Sequence, residues 1–286
     1  MNTDTPHFRS VRQTIRGRPT SDGAGVKLTR VIDGSERIDM DPFLLLDEFR
    51  SDQAGDYIAG FPDHPHRGFE TVTYMLAGRM RHRDSAGNSG LLVPGSVQWM
   101  TAGRGLVHSE MPEQEDGLMW GFQLWVNLPA RDKMTTPRYQ DISAERIPEI
   151  ALGAGAKARV LAGQLRDTAG PVETGATAAT YLDIHLAPGA SCEESLGAPE
   201  DTAFVYVYEG QLEAGTAGAA TLLARGTLGV LDAGSRLRLA AGAAAAKCIV
   251  VAGRPLREPV ARYGPFVMNT RAEIEQAFAD FRAGRL

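Results

Sequence analysis

Two short runs hold most of the metal-binding capacity in this 286-residue chain: His64-Pro65-His66 and His108-Ser109-Glu110. In an extended strand, residues i and i+2 point to the same face, so each run can present two ligands together; a helix would splay them. Three neutral imidazole nitrogens and one carboxylate oxygen suit a divalent first-row metal, and the missing thiolates argue against a structural zinc knuckle. An octahedral ion bound this way keeps positions open for water, dioxygen or a chelating substrate. Any one of these histidines alone would read as an ordinary surface or core residue. Two doublets at strand spacing, flanking a strand-rich segment, read as a metal site.

The segment between the doublets must bring them together, and it reads as strands and tight turns. Phe69 to Leu76 is rich in β-branched and aromatic residues and stops at Ala77-Gly78. Arg81 to Asp84 alternates in polarity before the turn formers Ser85 to Gly90. Leu91-Leu92-Val93 then meets the turn dipeptide Pro94-Gly95, and Val97 to Met100 is another short strand. Short strands punctuated by glycine turns suit an antiparallel barrel or sandwich better than an α/β sheet.

The run His64-Pro65-His66-Arg67-Gly68-Phe69-Glu70-Thr71-Val72-Thr73-Tyr74 resembles the pirin family of the cupin superfamily. So do His82 to Ser85, Val97 to Gly103, His108 to Glu110 and Phe122 to Leu128. Asp41 to Phe49 and Gly264 to Thr270 extend the likeness to nearly the whole chain, densely in the first half and sparsely from about Ile150 to Val260. The resemblance implies an all-β fold of two antiparallel cupin barrels (a bicupin of jelly-roll type) with a short C-terminal helix. It places His64, His66, His108 and Glu110 on the family's metal ligands. The expected cofactor is one divalent ion per chain, Fe(II) by preference, with Mn, Co, Ni, Cu or Zn as alternatives.

One alternative stays open. Many cupins take a glutamate ligand from the first motif, where Glu70 stands; strand parity puts Glu70 beside His66 only if Gly68 introduces no bulge. The pirin resemblance implies the second-motif glutamate, so Glu110 is the expected ligand and proton acceptor, with Glu70 held as a supporting or alternative ligand. His82 reads either as a solvated strand histidine or as support behind the ligands, whose free imidazole N–H groups need partners such as Asp84 or Glu70. Gln123, on a strand, is a pocket candidate. Arg67 alternates to the opposite face from His66 and reads as structural.

Taken in order, the chain carries 30 Lys and Arg against 35 Asp and Glu, with no polybasic run to suit nucleic acid or an anionic membrane. Cys192 and Cys248 match no redox or zinc spacing, as in a reducing cytoplasm. Residues 1–10 lack a signal peptide's apolar core, and no run approaches membrane-spanning length, so a soluble cytoplasmic protein is expected. Val26 to Ile32 alternates as a half-exposed strand, and Phe43 to Leu46 reads as a buried strand bounded by Pro42 and Asp47. The polar stretch from Pro129 to Pro148 reads as a linker. It divides residues 1–140, holding the metal, from 141–286, a metal-free barrel with the terminal helix. The second half repeats the strand-and-turn texture with His185 as its lone histidine. Thr270 to Glu273 has capping-box spacing, and Ile274, Ala277, Phe278 and Phe281 form one apolar helical face.

Two functions are implied by the resemblance. One is a dioxygenase of quercetin 2,3-dioxygenase type, taking a small flavonol-like aromatic substrate and dioxygen. The other is a metal- or redox-dependent regulator binding a protein partner such as a transcription factor or a metabolic enzyme.

Overall fold

A computed structural model describes residues 7–35 and 39–286. The chain divides into two compact units, each discontinuous in sequence. The first comprises Arg18–Ala144 with Leu256–Leu286; the second comprises the chain up to Gly17 with Glu145–Pro255. This corrects the division at 140/141. The strand Val11–Arg16 pairs with Thr227–Leu231 in the second unit, while residues from Leu256 onward, helix included, belong to the first. Sequence proximity to a linker is a weak guide here because both terminal segments find their hydrogen-bond partners far along the chain.

In the first unit a seven-stranded antiparallel sheet runs in the order Arg138–Ile142, Val97–Thr101, Phe69–Ala77, Met119–Asn127, Phe43–Ser51, Val26–Ile32, Arg18–Asp22. A four-stranded sheet holds Phe61–His66, Leu106–Pro112, Met80–Asp84 and Ser89–Leu92. Val26, Leu28, Phe49, Met75 and Met119 from the larger sheet cluster with Met80 and Leu92 from the smaller. Each such side chain contributes about 1.5–3 kcal/mol on full burial. The strand from Phe43 runs past Asp47 to Ser51, further than the charge at Asp47 suggests. Arg30 explains the extension: it meets both Asp47 oxygens, at 3.0 and 2.7 Å, from the neighbouring strand. Opposite charges across a strand pair tolerate burial that a lone carboxylate would not.

The second unit repeats the plan. Its seven strands run Val11–Arg16, Thr227–Leu231, Thr202–Glu209, Ala246–Gly253, Thr180–Leu186, Ala156–Ala162, Glu149–Gly153; its four are Ser191–Ser195, Arg236–Ala241, Gln211–Ala214 and Thr221–Ala224. Leu182, Ile184, Leu186, Val205, Val207 and Val250 cluster with Leu212, Leu223, Leu237 and Leu239.

The linker expectation is also corrected. Within 129–148 the strand Arg138–Ile142 joins the edge of the first unit's large sheet, pairing with Val97–Thr101. Lys133, read as linker polarity, is 1% exposed and donates to the Gly68 carbonyl, Asn127 Oδ1 and the Val267 carbonyl. Burial lowers its ammonium to about 8. The helix Arg271–Arg282 starts at the expected capping box: Glu273 N–H donates to Thr270 Oγ1, and Thr270 N–H to Glu273 Oε2. Ile274 and Ala277 of its apolar face pack on Phe266 and Met268, whereas Phe281 stays exposed. No helix among the described residues is long and apolar enough to cross a membrane.

Candidate metal centre

The two doublets meet as strand geometry requires. Phe61–His66 and Leu106–Pro112 are antiparallel neighbours, with His108 directly opposite His64 and Leu106 opposite His66. Ligand nitrogens of His64, His66 and His108 all lie within 4.8 Å of one another. The ring centroids are 4.7 Å apart for His64 and His66, 4.4 Å for His64 and His108, and 5.1 Å for His66 and His108. His66 and His108 are buried, and His64 is half-buried.

Their hydrogen bonds fit metal ligation. His64 Nδ1 lies 2.8 Å from the Pro62 carbonyl, and His66 Nδ1 lies 3.4 Å from that of Pro265. A ring that donates from Nδ1 presents the lone pair of Nε2. His108 has no hydrogen-bond partner at either ring nitrogen despite its burial. Burial foremost, with His108 and His64 adding to it, pushes the His66 pKa well below its ordinary value. Burial, then His64 and His82, does the same for His108. Both rings are thus neutral at physiological pH, the form a metal takes. The partners expected for these rings, Asp84 and Glu70, are engaged elsewhere. Asp84 accepts from the backbone of Ala86 and Asn88 in its own turn.

Glu110 stands two residues beyond His108, 1% exposed, and lies outside the three-histidine cluster. A register shift between His108 and Glu110 sets Glu110 opposite Phe61 on one side and His82 on the other. Its Oε1 accepts from Thr73 Oγ1 and its Oε2 from Gln123 Nε2, both at 3.0 Å. Gln123 accordingly belongs to this polar interior. Glu70 does not share it. Gly68 takes φ +89°, and the backbone bends there between the strands Phe61–His66 and Phe69–Ala77. Phe69 then meets His66 edge-on at 5.0 Å. Glu70, on the face away from Phe69 and Thr73, accepts from Thr101 Oγ1 at 2.7 Å, and burial raises its pKa. A Cβ at residue 68 would collide with the Val267 carbonyl, so glycine is required there on two counts.

His82 is 1% exposed rather than solvated. Its Nε2 lies 2.9 Å from Asp141 Oδ2, Gln98 Nε2 donates to Asp141 Oδ1, and Tyr139 stacks on the imidazole at 5.0 Å. Gly90 makes room, since a methyl there would strike both His82 and Asp141. Arg67, as expected, serves structure: Nε donates to the Arg104 carbonyl and Nη1 to Asp280 of the terminal helix.

A cavity of about 660 Å³ opens over the cluster, lined by His64, His66, Gln123, Trp125 and Leu45, and by Arg262 and Pro265 from the C-terminal segment. Asp141, Tyr139, Trp125 and Arg262 carried no site signal in the sequence. Only long-range pairing brings them to the histidines.

Residues 25–126 match the family model described as Pirin, and residues 181–286 match that of the Pirin C-terminal cupin domain. A pirin-like protein of Caulobacter vibrioides is 50% identical over 283 residues, which are 97% of this chain and 99% of the relative. A crystal structure of quercetin 2,3-dioxygenase from Acinetobacter baumannii superposes with a TM-score of 0.88 at 35% identity, covering 97% of this chain and 98% of that one. The Escherichia coli pirin YhhW, solved in complex with nickel(II), shares the fold at a TM-score of 0.62 and 17% identity, covering 85% and 98% of the two chains.

Proposed function

Because the chain belongs to the pirin family, we propose that its first unit is a dioxygenase site that opens a flavonol-like aromatic ring with dioxygen. One divalent ion, Fe(II) by preference, is held by His64, His66, His108 and Glu110. The observation that carries this reading is the buried His108 ring, with both nitrogens unpartnered, beside two imidazoles whose Nδ1 atoms already face carbonyls. Nickel(II) in YhhW and the dioxygenase name of the Acinetobacter neighbour support it.

When bound, the ion supplies Lewis acidity and the redox capacity that a reaction between dioxygen and an aromatic ring requires. The chain's own residues do the rest. Trp125 and Leu45 offer apolar walls for a flat ring. Glu110, steadied by Thr73 and Gln123, accepts the substrate's hydroxyl proton within the buried interior. Gln123 touches both that carboxylate and the cavity, so it couples substrate position to the proton acceptor.

The test is aerobic incubation of iron-loaded protein with quercetin, following the flavonol absorbance band. We expect the band to decay with appearance of the ring-opened product. If fully loaded protein leaves quercetin and related flavonols intact, the dioxygenase reading falls and metal-dependent binding of a protein partner takes its place.

A further inference from the structure

Lys133 is a buried cation that the proposed metal chemistry leaves unused. Its ammonium donates to the Gly68 carbonyl at 2.7 Å, to Asn127 Oδ1 at 2.7 Å and to the Val267 carbonyl at 3.1 Å. Glu258 and Glu273 favour its charge, but its three hydrogens go to neutral oxygens. An ammonium buried without a carboxylate against it costs stability, so packing alone does not account for it. Its partners lie on the two backbone runs that meet at a metal ligand. Gly68 stands two residues beyond His66, and Val267 two beyond Pro265, whose carbonyl faces His66 Nδ1 at 3.4 Å. Between them the Val267 N–H donates to the Arg67 carbonyl at 3.0 Å, and Phe266 forms a parallel bridge with Arg67. Drawing two carbonyl oxygens to one point is repulsive, and a cation shared by both reverses the sign. The contact at His66 is at the long end of hydrogen-bonding range, so a small shift of residues 265–267 would break it.

We propose that Lys133 is a positioning residue of the metal centre: its ammonium holds the Pro265 carbonyl against His66 and so sets how that imidazole presents Nε2 to the ion. The proposal rests on the reading that His64, His66 and His108 hold a metal. Lys133 acts on the ion only through the backbone and the ring. The carbonyl partner of a ligating histidine fixes its tautomer and orientation, and loss of such a partner costs about 10–100-fold in metal affinity. Lys133 stands one step further out, which places its effect at the lower end of that range.

Cobalt(II) binding decides the matter without turnover. The metal-free full chain would be titrated with cobalt(II) against a chromophoric chelator, and the visible absorption band recorded at saturation. Lys133→Met keeps the length of the side chain and removes the charge. It should weaken cobalt binding by about tenfold and shift the saturated band, because His66 meets the ion in a relaxed orientation. Lys133→Gln, which returns a neutral donor, should fall between Lys133→Met and wild type. Leu182→Ala, a packing loss in the second unit, controls for stability alone and should leave affinity within about twofold and the band unchanged. If circular dichroism shows that Lys133→Met does not fold, Lys133→Gln carries the same two readouts. Wild-type affinity and band in a folded Lys133 variant would overturn the proposal. So would weaker binding with an unchanged band, or an equal loss in Leu182→Ala, since either would reduce Lys133 to general support of the fold. Wild-type protein that fails to bind cobalt(II) would remove the metal reading and this proposal with it. Wild-type protein that binds it no better than the Lys133 variants would lose this proposal alone.

Discussion

The two units share one plan, a seven-stranded sheet with a four-stranded one, and differ in what fills the space between the sheets. In the second unit that space holds Leu182, Ile184, Val205, Val207, Leu237 and Leu239. Its strand histidine, His185, points to the other face of its strand, where its Nε2 meets Asp183 and the Tyr208 hydroxyl. In the first unit the interior also carries His66, His82, His108, Glu110 and Thr73, all buried. One copy of the architecture thus fills its interior by packing, and the other gives up apolar volume for buried imidazole, carboxyl and hydroxyl groups. Buried polar groups cost stability unless paired, so the two interiors should answer mutation in opposite ways.

The largest effect should follow removal of a ligand. His108→Ala should lower metal affinity by more than about 100-fold, beyond the loss typical of a ligand's supporting residues, while circular dichroism stays native. Wild-type protein loaded anaerobically with iron should hold one ion per chain by metal analysis. Two tightly held ions would mean that the second unit has ligands its apolar core conceals.

Next in size is a packing loss in the second unit. Leu182→Ala should destabilise by about 2–5 kcal/mol in denaturant titrations. The matching change in the first unit, His66→Leu, should leave the metal-free protein within about 1 kcal/mol of wild type or make it more stable. Equal losses at both positions would erase the contrast between the interiors.

A smaller effect separates the two glutamates. Glu110→Gln should weaken metal binding by about 10–100-fold, and Glu70→Gln, across the sheet from the histidines, by less than about threefold. The reverse ranking would return the ligand to the first motif.

The smallest concerns acid. Arg67, then Arg285 and Gln276, hold the Asp280 carboxyl at about 2, below its ordinary 3.8. A depressed carboxyl contributes stability that is fully present above the ordinary value and is lost as pH falls through the folded value. Protection against hydrogen exchange in the terminal helix, relative to the intrinsic rate at each pH, should therefore fall between about pH 4 and pH 2, and Asp280→Asn should remove that pH dependence.

The convergence of His64, His66 and His108 was legible because strand parity is a local rule: two residues apart means one face, whatever the partner strand. Parity also warned that Glu70 depended on Gly68, and the structure has a left-handed turn there, with Glu70 bonded to Thr101. The repeated strands and the capping box at Thr270 were readable for the same reason. Other parts of the site were not. Asp141 and Tyr139 sat in a stretch that resembled a linker, and only its pairing with Val97–Thr101 brings it to His82. Lys133 looked solvated because lysine usually is, yet three oxygens far apart in sequence enclose it. The terminal helix was foreseen, but not the unit it joins, since an amphipathic pattern says that a face will be covered and not by what.

The placement of residues 256–286 in the first unit bears on how the protein is made. Domains generally fold in order of emergence during synthesis. Here His64, His66 and His108 emerge long before Pro265, which faces His66, and Arg262, which lines the cavity. The second unit is translated in between. The site therefore remains unfinished on the ribosome while its first ligands are already exposed, and it is completed as a late step. A chain truncated before Leu256 would display the histidines without their enclosure, as an open cluster in place of a covered one.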